Sequence, residues 1–160
     1  MCGIVGITSS KPVSSMILNS LRKLEYRGYD SSGIATLHEG IIHEMKSEGR
    51  VDALEKNLNK SNLYGNIGIG HVRWATHGVP STINAHPHSS DNVSVVHNGI
   101  IENSTLLKKM LLKKGHVFKS QTDTEVITHL ITEYLKKNDL KTSIIKMLKR
   151  LHGSFALGII

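Results

Sequence analysis

The sequence predicts a layered domain of helices packed on sheets, α/β or α+β. Three observations carry that expectation. Short apolar runs of strand character fall in two groups, and helical stripes with apolar residues at i, i+3, i+4 and i+7 also fall in two groups. The chain has 160 residues, a length that fits one domain able to bury about two thirds of its unfolded surface.

The elements follow in order. Gly3 to Thr8 is a short apolar strand. A helix comes next, with Pro12 suited to its first turn and Val13, Met16, Ile17, Leu18, Leu21 and Leu24 as its buried stripe, ending before Gly28. Gly33 to His38 and Ile41 to Lys46 form a strand pair around Glu39-Gly40, a hairpin signal. A short helix runs from about Arg50 to Leu58. Strands at Ile67 to Trp74 and Val93 to His97 bracket Ala75 to Asn92, a stretch rich in Gly, Pro, Ser, Asn and His and too long for a simple turn, hence a functional loop.

Helices at 103–114, 123–137 and 140–151 follow. Their stripes are Leu106, Leu107, Met110 and Leu111; then Val126, Ile127, Leu130, Ile131 and Tyr134; then Leu140, Ile144, Met147, Leu148 and Leu151. Thr122 and Glu125 have the spacing of a capping box for the second of these. Ser154 to Ile160 reads as a final strand, and an apolar strand with no turn or polar tail after it suggests a domain incomplete at its C-terminus.

Composition excludes several classes. One cysteine cannot form an internal disulfide, which points to a reducing, cytoplasmic setting. No apolar run reaches about 18 residues and no secretory signal opens the chain, so no membrane association is expected. The net charge of +7 is local: residues 1–100 carry nine basic and eight acidic side chains, residues 101–160 eleven and five. The lysines pair where helices should end, at Lys113/Lys114, Lys136/Lys137 and Lys149/Arg150, where the helix dipole favours cations. That solvated pattern, without interleaved aromatics, argues against nucleic-acid binding.

Cys2 carries the most chemistry. Removal of Met1 would expose a cysteine whose own α-amine, with a pKa of about 7.7 to 8.0, serves as general base for its thiol. The alternative is a small buried hydrophobe. His97-Asn98-Gly99 directly follows an apolar strand: an Asn amide and a Gly N–H there can donate to one oxyanion, although Asn-Gly is equally a common turn. Arg73 at a strand end can clamp a carboxylate or make a surface ion pair. Asp123, read as lying in the first turn of a helix, either complements the dipole or meets a substrate ammonium. Together a thiol, an arginine and an aspartate describe an amino-acid site. His86-Pro87-His88, with His71, His77 and His97, could suggest zinc, but no Cys, Asp or Glu recurs among them at ligand spacing, so no metal is expected. Gly65, Gly68 and Gly70 have the wrong order for a dinucleotide fingerprint and enter a strand. Tyr26 to Asp30 breaks the first helix with an aromatic and charged turn that could stand beside Cys2.

Six collinear motifs carry a resemblance: residues 1–6 (MCGIVG), 24–31 (LEYRGYDS), 70–78 (GHVRWATHG), 84–88 (NAHPH), 95–103 (VVHNGIIEN) and 122–126 (TDTEV). Over residues 1–160 the chain resembles the glutaminase domain of the glutamine:fructose-6-phosphate aminotransferase (isomerizing) family, also called glucosamine-6-phosphate synthases. These are class II glutamine amidotransferases of the N-terminal nucleophile hydrolase type. Trp74 and His86-Pro87-His88 favour this family over the related phosphoribosyl and asparagine-forming enzymes.

The resemblance implies an α+β, four-layer αββα sandwich of two mainly antiparallel sheets between helix layers. It implies Cys2 as nucleophile toward the L-glutamine side-chain amide, with Asn98 and Gly99 as the oxyanion hole. Arg73 would bind the α-carboxylate and Asp123 the α-ammonium. Trp74, Thr76 and His77 would line the site, with Arg27, His86 and His97 in support. No cofactor is implied. Ammonia would pass to a sugar isomerase portion that binds fructose 6-phosphate and is absent from residues 1–160, in a homo-oligomeric full-length enzyme of amino-sugar synthesis. The competing expectation is a truncated, non-catalytic fragment that binds glutamine or a partner without turnover.

Overall fold

The computed structural model describes residues 2–61, 63–75 and 78–160. Among them the elements run β1 (Gly3–Thr8), α1 (Ser14–Leu24), β2 (Ser31–His38), β3 (Ile41–Glu48), α2 (Val51–Leu58), β4 (Ile67–Arg73), β5 (His88–Ser90), β6 (Val93–Ile101), α3 (Ser104–Leu112), α4 (Glu125–Leu135), α5 (Leu140–Leu148) and β7 (Gly153–Ile159). A 3₁₀ turn, Glu25–Arg27, follows α1 directly. The strands make two antiparallel sheets, ordered β1-β4-β2-β3 and β5-β6-β7.

Three apolar clusters show how the layers stack. One joins α1 and α2 to the first sheet through Val13, Ile17, Leu21, Ile34, Leu54 and Val72. A second joins α3, α4 and α5 to the second sheet through Val95, Leu107, Leu111, Ile127, Leu130, Ile131 and Met147. The third lies between the sheets, with Ala35, Ile69 and Val96 buried and Ile4, Ile42 and Ile160 against them. Helix, sheet, sheet, helix is the expected α+β sandwich.

The two-residue period of a strand decides which side chains enter the layer between the sheets. On β4, Gly68 and Gly70 face Ile17 of α1, where any Cβ would collide, so the helix lies close on the sheet. Ile69 and His71 therefore turn toward the second sheet. On β6, Val95 packs toward the helices while Val96 and Asn98 turn back toward the first sheet.

Several elements differ from the sequence expectation. β5 was hidden in the polar loop because it has three residues and pairs only with β6. β6 runs on through Asn98-Gly99 to Ile101, because that dipeptide pairs with Ala156 and Phe155 of β7 instead of turning. Thr122 and Glu125 do not form a capping box: α4 begins at Glu125, and the Glu125 carboxylate accepts from Lys119 N, Ser120 N and Ser120 Oγ, while Thr122 Oγ1 meets His88 Nε2 at 3.0 Å. Asp123 accordingly lies before that helix, outside its first turn. Leu106, Leu140, Leu148 and Met16, placed on stripes by spacing, are exposed. No helix among the described residues is long and apolar enough to cross a membrane.

Candidate functional site

Cys2 stands one residue before β1, and its place is fixed from several sides. Its carbonyl oxygen accepts from Arg27 Nε at 2.9 Å and from Asn98 Nδ2 at 3.1 Å. Its sulfur accepts from Trp74 N at 3.3 Å and lies 3.6 Å from Trp74 O. Gly3, paired with Val72, ties the following residue into the sheet. The thiol is half-buried, neither sealed in the core nor free in solvent.

A small cavity of about 30 Å³ is lined by Cys2, Arg73, Trp74, His86, His97, Gly99, Thr122, Asp123 and Thr124. Beside it, a cleft of about 510 Å³ runs past Cys2, Arg27, Trp74, Asn98, Gly99, Ile100 and Phe155. The cavity brings a thiol, a guanidinium and a carboxylate together from residues as far apart as Cys2 and Asp123. Asp123 is positioned by its Oδ2, which accepts from Ile101 N at 2.7 Å, so the loop before α4 is anchored to the end of β6. Gly99 has φ +126°, a region open to glycine, and a Cβ there would overlap the Ser154 carbonyl oxygen on β7.

Arg73 is buried at the end of β4. It donates from Nη2 to Gly78 O at 3.1 Å and from Nη1 to Val79 O at 3.4 Å, and lies 3.8 Å from Asp30 Oδ1. Asp30 in turn accepts from Ala75 N and from Ser31 Oγ, so one carboxylate braces both Arg73 and the segment after Trp74. Gly28 makes the close approach possible, since a Cβ there would strike the Arg73 carbonyl. Trp74 is half exposed and meets the edge of Tyr29 at 5.4 Å between ring centroids.

Behind the cavity lies a group of buried histidines. His71 and His86 stack with centroids 4.1 Å apart, and His88 meets His86 edge-on at 4.8 Å. Burial pushes His71 and His88 down to about 3 and His86 well below its ordinary value, so all three are neutral near pH 7. Hydroxyls tie the group to the loop before α4: Thr124 Oγ1 lies 2.9 Å from both His86 Nε2 and His97 Nδ1. Among the described residues no group of three or more His, Cys, Asp or Glu side chains could hold a metal ion.

Known proteins resemble this chain in sequence and fold. Residues 71–160 match the family described as glutamine amidotransferase domain, 90 of the chain's 160 residues. The chain belongs to the glutamine amidotransferase domain family. The glutamine–fructose-6-phosphate aminotransferase (isomerizing) of Clostridium acetobutylicum is 54% identical over all of this chain, and that of Pyrococcus horikoshii 53%. The chain spans about a quarter of those relatives, 26% and 27% of their lengths. The solved B. subtilis glutamine phosphoribosylpyrophosphate amidotransferase, complexed with ADP and GMP, superposes over the whole chain with a TM-score of 0.87 at 30% identity, covering 35% of that chain. A class-II glutamine aminotransferase domain protein of Silicibacter pomeroyi shares the fold at TM-score 0.66 and 13% identity, covering all of this chain and 72% of its own. The sandwich is thus the N-terminal nucleophile hydrolase arrangement.

In this amidotransferase domain the expected site residues Cys2, Arg73, Trp74, Gly99 and Asp123 share one cavity, with His86 and His97 on its wall. Arg27 and Asn98 line the adjoining cleft and meet the Cys2 carbonyl. Thr76 and His77 lie outside the described residues. Sequence reasoning passed over Asp30 and the hydrogen bonds of His71. The break at Tyr26 to Asp30 was the signal for the first. A histidine at an inward strand position was the signal for the second.

Proposed function

We propose that this chain hydrolyses the side-chain amide of L-glutamine, and that in the whole enzyme the ammonia released converts fructose 6-phosphate to glucosamine 6-phosphate. The observation that carries the reading is the meeting of Cys2, Arg73 and Asp123 on one cavity. The 54% identity to an aminotransferase of that name supports it.

With Met1 removed, the Cys2 α-amine takes the thiol proton, and the thiolate attacks the amide carbon. The oxyanion so formed is held by Asn98 Nδ2–H and the Gly99 N–H. The proton passes to the leaving nitrogen, the C–N bond breaks, and ammonia departs from a glutamyl thioester. Water then attacks the thioester, releasing glutamate and restoring the thiol. Arg73 holds the substrate α-carboxylate and Asp123 its α-ammonium. Trp74 lines the site, and Thr76 and His77 are assigned a substrate-binding role by the resemblance alone. Arg27, donating to the Cys2 carbonyl, keeps the nucleophile's main chain in place.

Residues 1–160 act as the glutaminase portion of a cytoplasmic, homo-oligomeric enzyme, and a sugar isomerase portion outside them receives the ammonia. A thiol nucleophile needs a reducing setting, which supports the cytoplasmic assignment.

Intact-mass measurement and an ammonia assay test the reading. The chain with Met1 removed is expected to release ammonia and glutamate from glutamine, and an electrophilic glutamine analogue is expected to add once, at Cys2. Cys2→Ala should abolish both without changing the melting temperature. Hydrolysis that survives Cys2→Ala would overturn the mechanism. Glutamine binding with no labelling would favour a fragment that binds without turnover.

A further inference from the structure

Asn98 reaches the Cys2 carbonyl and the oxyanion position by only one end of its amide. The Cys2 carbonyl is an acceptor, so the atom 3.1 Å from it is the amide nitrogen Nδ2, and the oxygen Oδ1 must face the other way. There it lies 3.1 Å from His71 Nε2. The same ring nitrogen lies 3.0 Å from the His97 carbonyl oxygen. Two oxygens facing one ring nitrogen require that nitrogen to carry the hydrogen.

His71 is confined by its burial. It comes from β4, fully buried, across the layer between the sheets, with its ring stacked on His86 at 4.1 Å. Among the described residues none hydrogen-bonds the buried His71 Nδ1. Among the described residues the side-chain hydrogen bond of His71 goes to Asn98, and its other goes to the His97 backbone.

We infer that His71 is a positioning residue for the oxyanion hole: its Nε2–H holds Asn98 Oδ1, so that Asn98 Nδ2–H faces the reacting carbonyl and never the reverse. Without that donor the Asn98 amide can rotate by half a turn and present an oxygen to the developing oxyanion, which repels where it should stabilise. Neutrality of the ring fits this role, because burial holds His71 down to about 3 and leaves one N–H, the one used. The inference rests on the glutaminase reading for its kinetic consequence but not for its geometry.

The test uses variants that differ in reach. A glutamine amide nitrogen extends about as far as His Nε2, whereas an asparagine amide reaches only about as far as Nδ1. His71→Asn is expected to lower kcat for glutamine hydrolysis by roughly 10- to 100-fold, part of the loss that follows removal of an oxyanion donor, with KM within about threefold. His71→Gln is expected to restore kcat to within about threefold of the parent. In an Asn98→Ala background, His71→Asn should have no further effect on kcat. Equal impairment of the Asn and Gln variants, or effects of His71→Asn and Asn98→Ala that multiply, would overturn the inference.

A measurement without turnover separates this inference from the glutaminase reading. Long-range ¹H–¹⁵N spectra of the chain should show His71 neutral with its proton on Nε2, and the Asn98 side-chain amide signals should move in His71→Asn and return toward their parent positions in His71→Gln. A proton on Nδ1, or Asn98 amide signals unchanged by the substitution, overturns it. If the parent chain proves inactive, the glutaminase reading fails while these spectra still decide the role of His71.

Discussion

The layer between the two sheets has two ends built on the same strands. At one end Ala35, Ile69 and Val96 are buried with Ile4 and Ile42 against them. At the other stand His71, Arg73, Asn98 and Cys2, on β4, on β6 and just before β1. A step of two residues separates Ile69 from His71, Val96 from Asn98, and Ile4 from Cys2. The strand period puts both sets in one layer, and only the side chains differ. The apolar end is held by area removed from water. The polar end is ordered by specific contacts: Asn98 reaches His71 and the Cys2 carbonyl across the layer, and Asp30, just before β2, stands 3.8 Å from Arg73 in the same sheet. One end therefore sets stability and the other geometry.

Gly99→Ala should give the largest effect, because it breaks both. The added Cβ overlaps the Ser154 carbonyl and φ is unfavourable, so β6 and β7 must part. A loss of about 3 kcal/mol of stability, from strain and overpacking together, is expected in urea unfolding, with glutaminase activity abolished. A stable, active variant would show that the β6–β7 pairing does not shape the oxyanion hole.

Substitutions confined to one end should separate the two properties. Ile69→Ala removes a buried side chain at the apolar end and should cost about 2 to 5 kcal/mol, while kcat of the folded protein stays within about twofold. Asn98→Ala should do the opposite: kcat falls by about 10² to 10³, the effect of one missing oxyanion donor, and stability changes by less than about 1.5 kcal/mol, because His71 Nε2 keeps the His97 carbonyl. If Ile69→Ala lowers kcat as much as Asn98→Ala, the ends are not independent and the comparison fails.

The apolar end was legible in the sequence and the polar end only in part. The apolar runs that hold Ile4, Ile69 and Val96 read as strands without knowledge of the fold. Cys2, Arg73, Asn98, Gly99 and Asp123 could be picked out by residue type and motif, but not the contacts among them, which span up to 96 positions in the chain. Local rules misled where a long-range partner won. Asn98-Gly99 has turn chemistry, yet β7 supplies a strand partner. Thr122 and Glu125 have cap spacing, yet His88 and the backbone of Lys119 and Ser120 take their oxygens. Asp30 and His71 carry no motif of their own, and their roles exist only once β2, β4 and β6 are side by side.

Acid should undo the polar end first, and the direction follows from the histidines. His71 and His88 are pushed down to about 3, and His86 lies well below its ordinary value, each by burial. In the unfolded chain the same rings titrate near about 6.5. Between those limits the unfolded state binds more protons than the folded one, so stability falls as pH drops through about 6.5 and goes on falling toward about 3. Three such groups should lower stability by about 2 kcal/mol between pH 7 and pH 6. Glu125 does not enter that window. Burial works against its charge, but hydrogen bonds from His129, Ser120 and the Lys119 and Ser120 N–H groups outweigh it and hold the carboxyl at about 2. The stability it adds is therefore intact above about 4.5 and lost only below. Urea unfolding at the two pH values checks the expectation, and equal stabilities would overturn it. Ile69→Ala sharpens the comparison further: it should lower the stability at both pH values by the same amount and leave the difference unchanged, since the apolar end holds no proton to exchange.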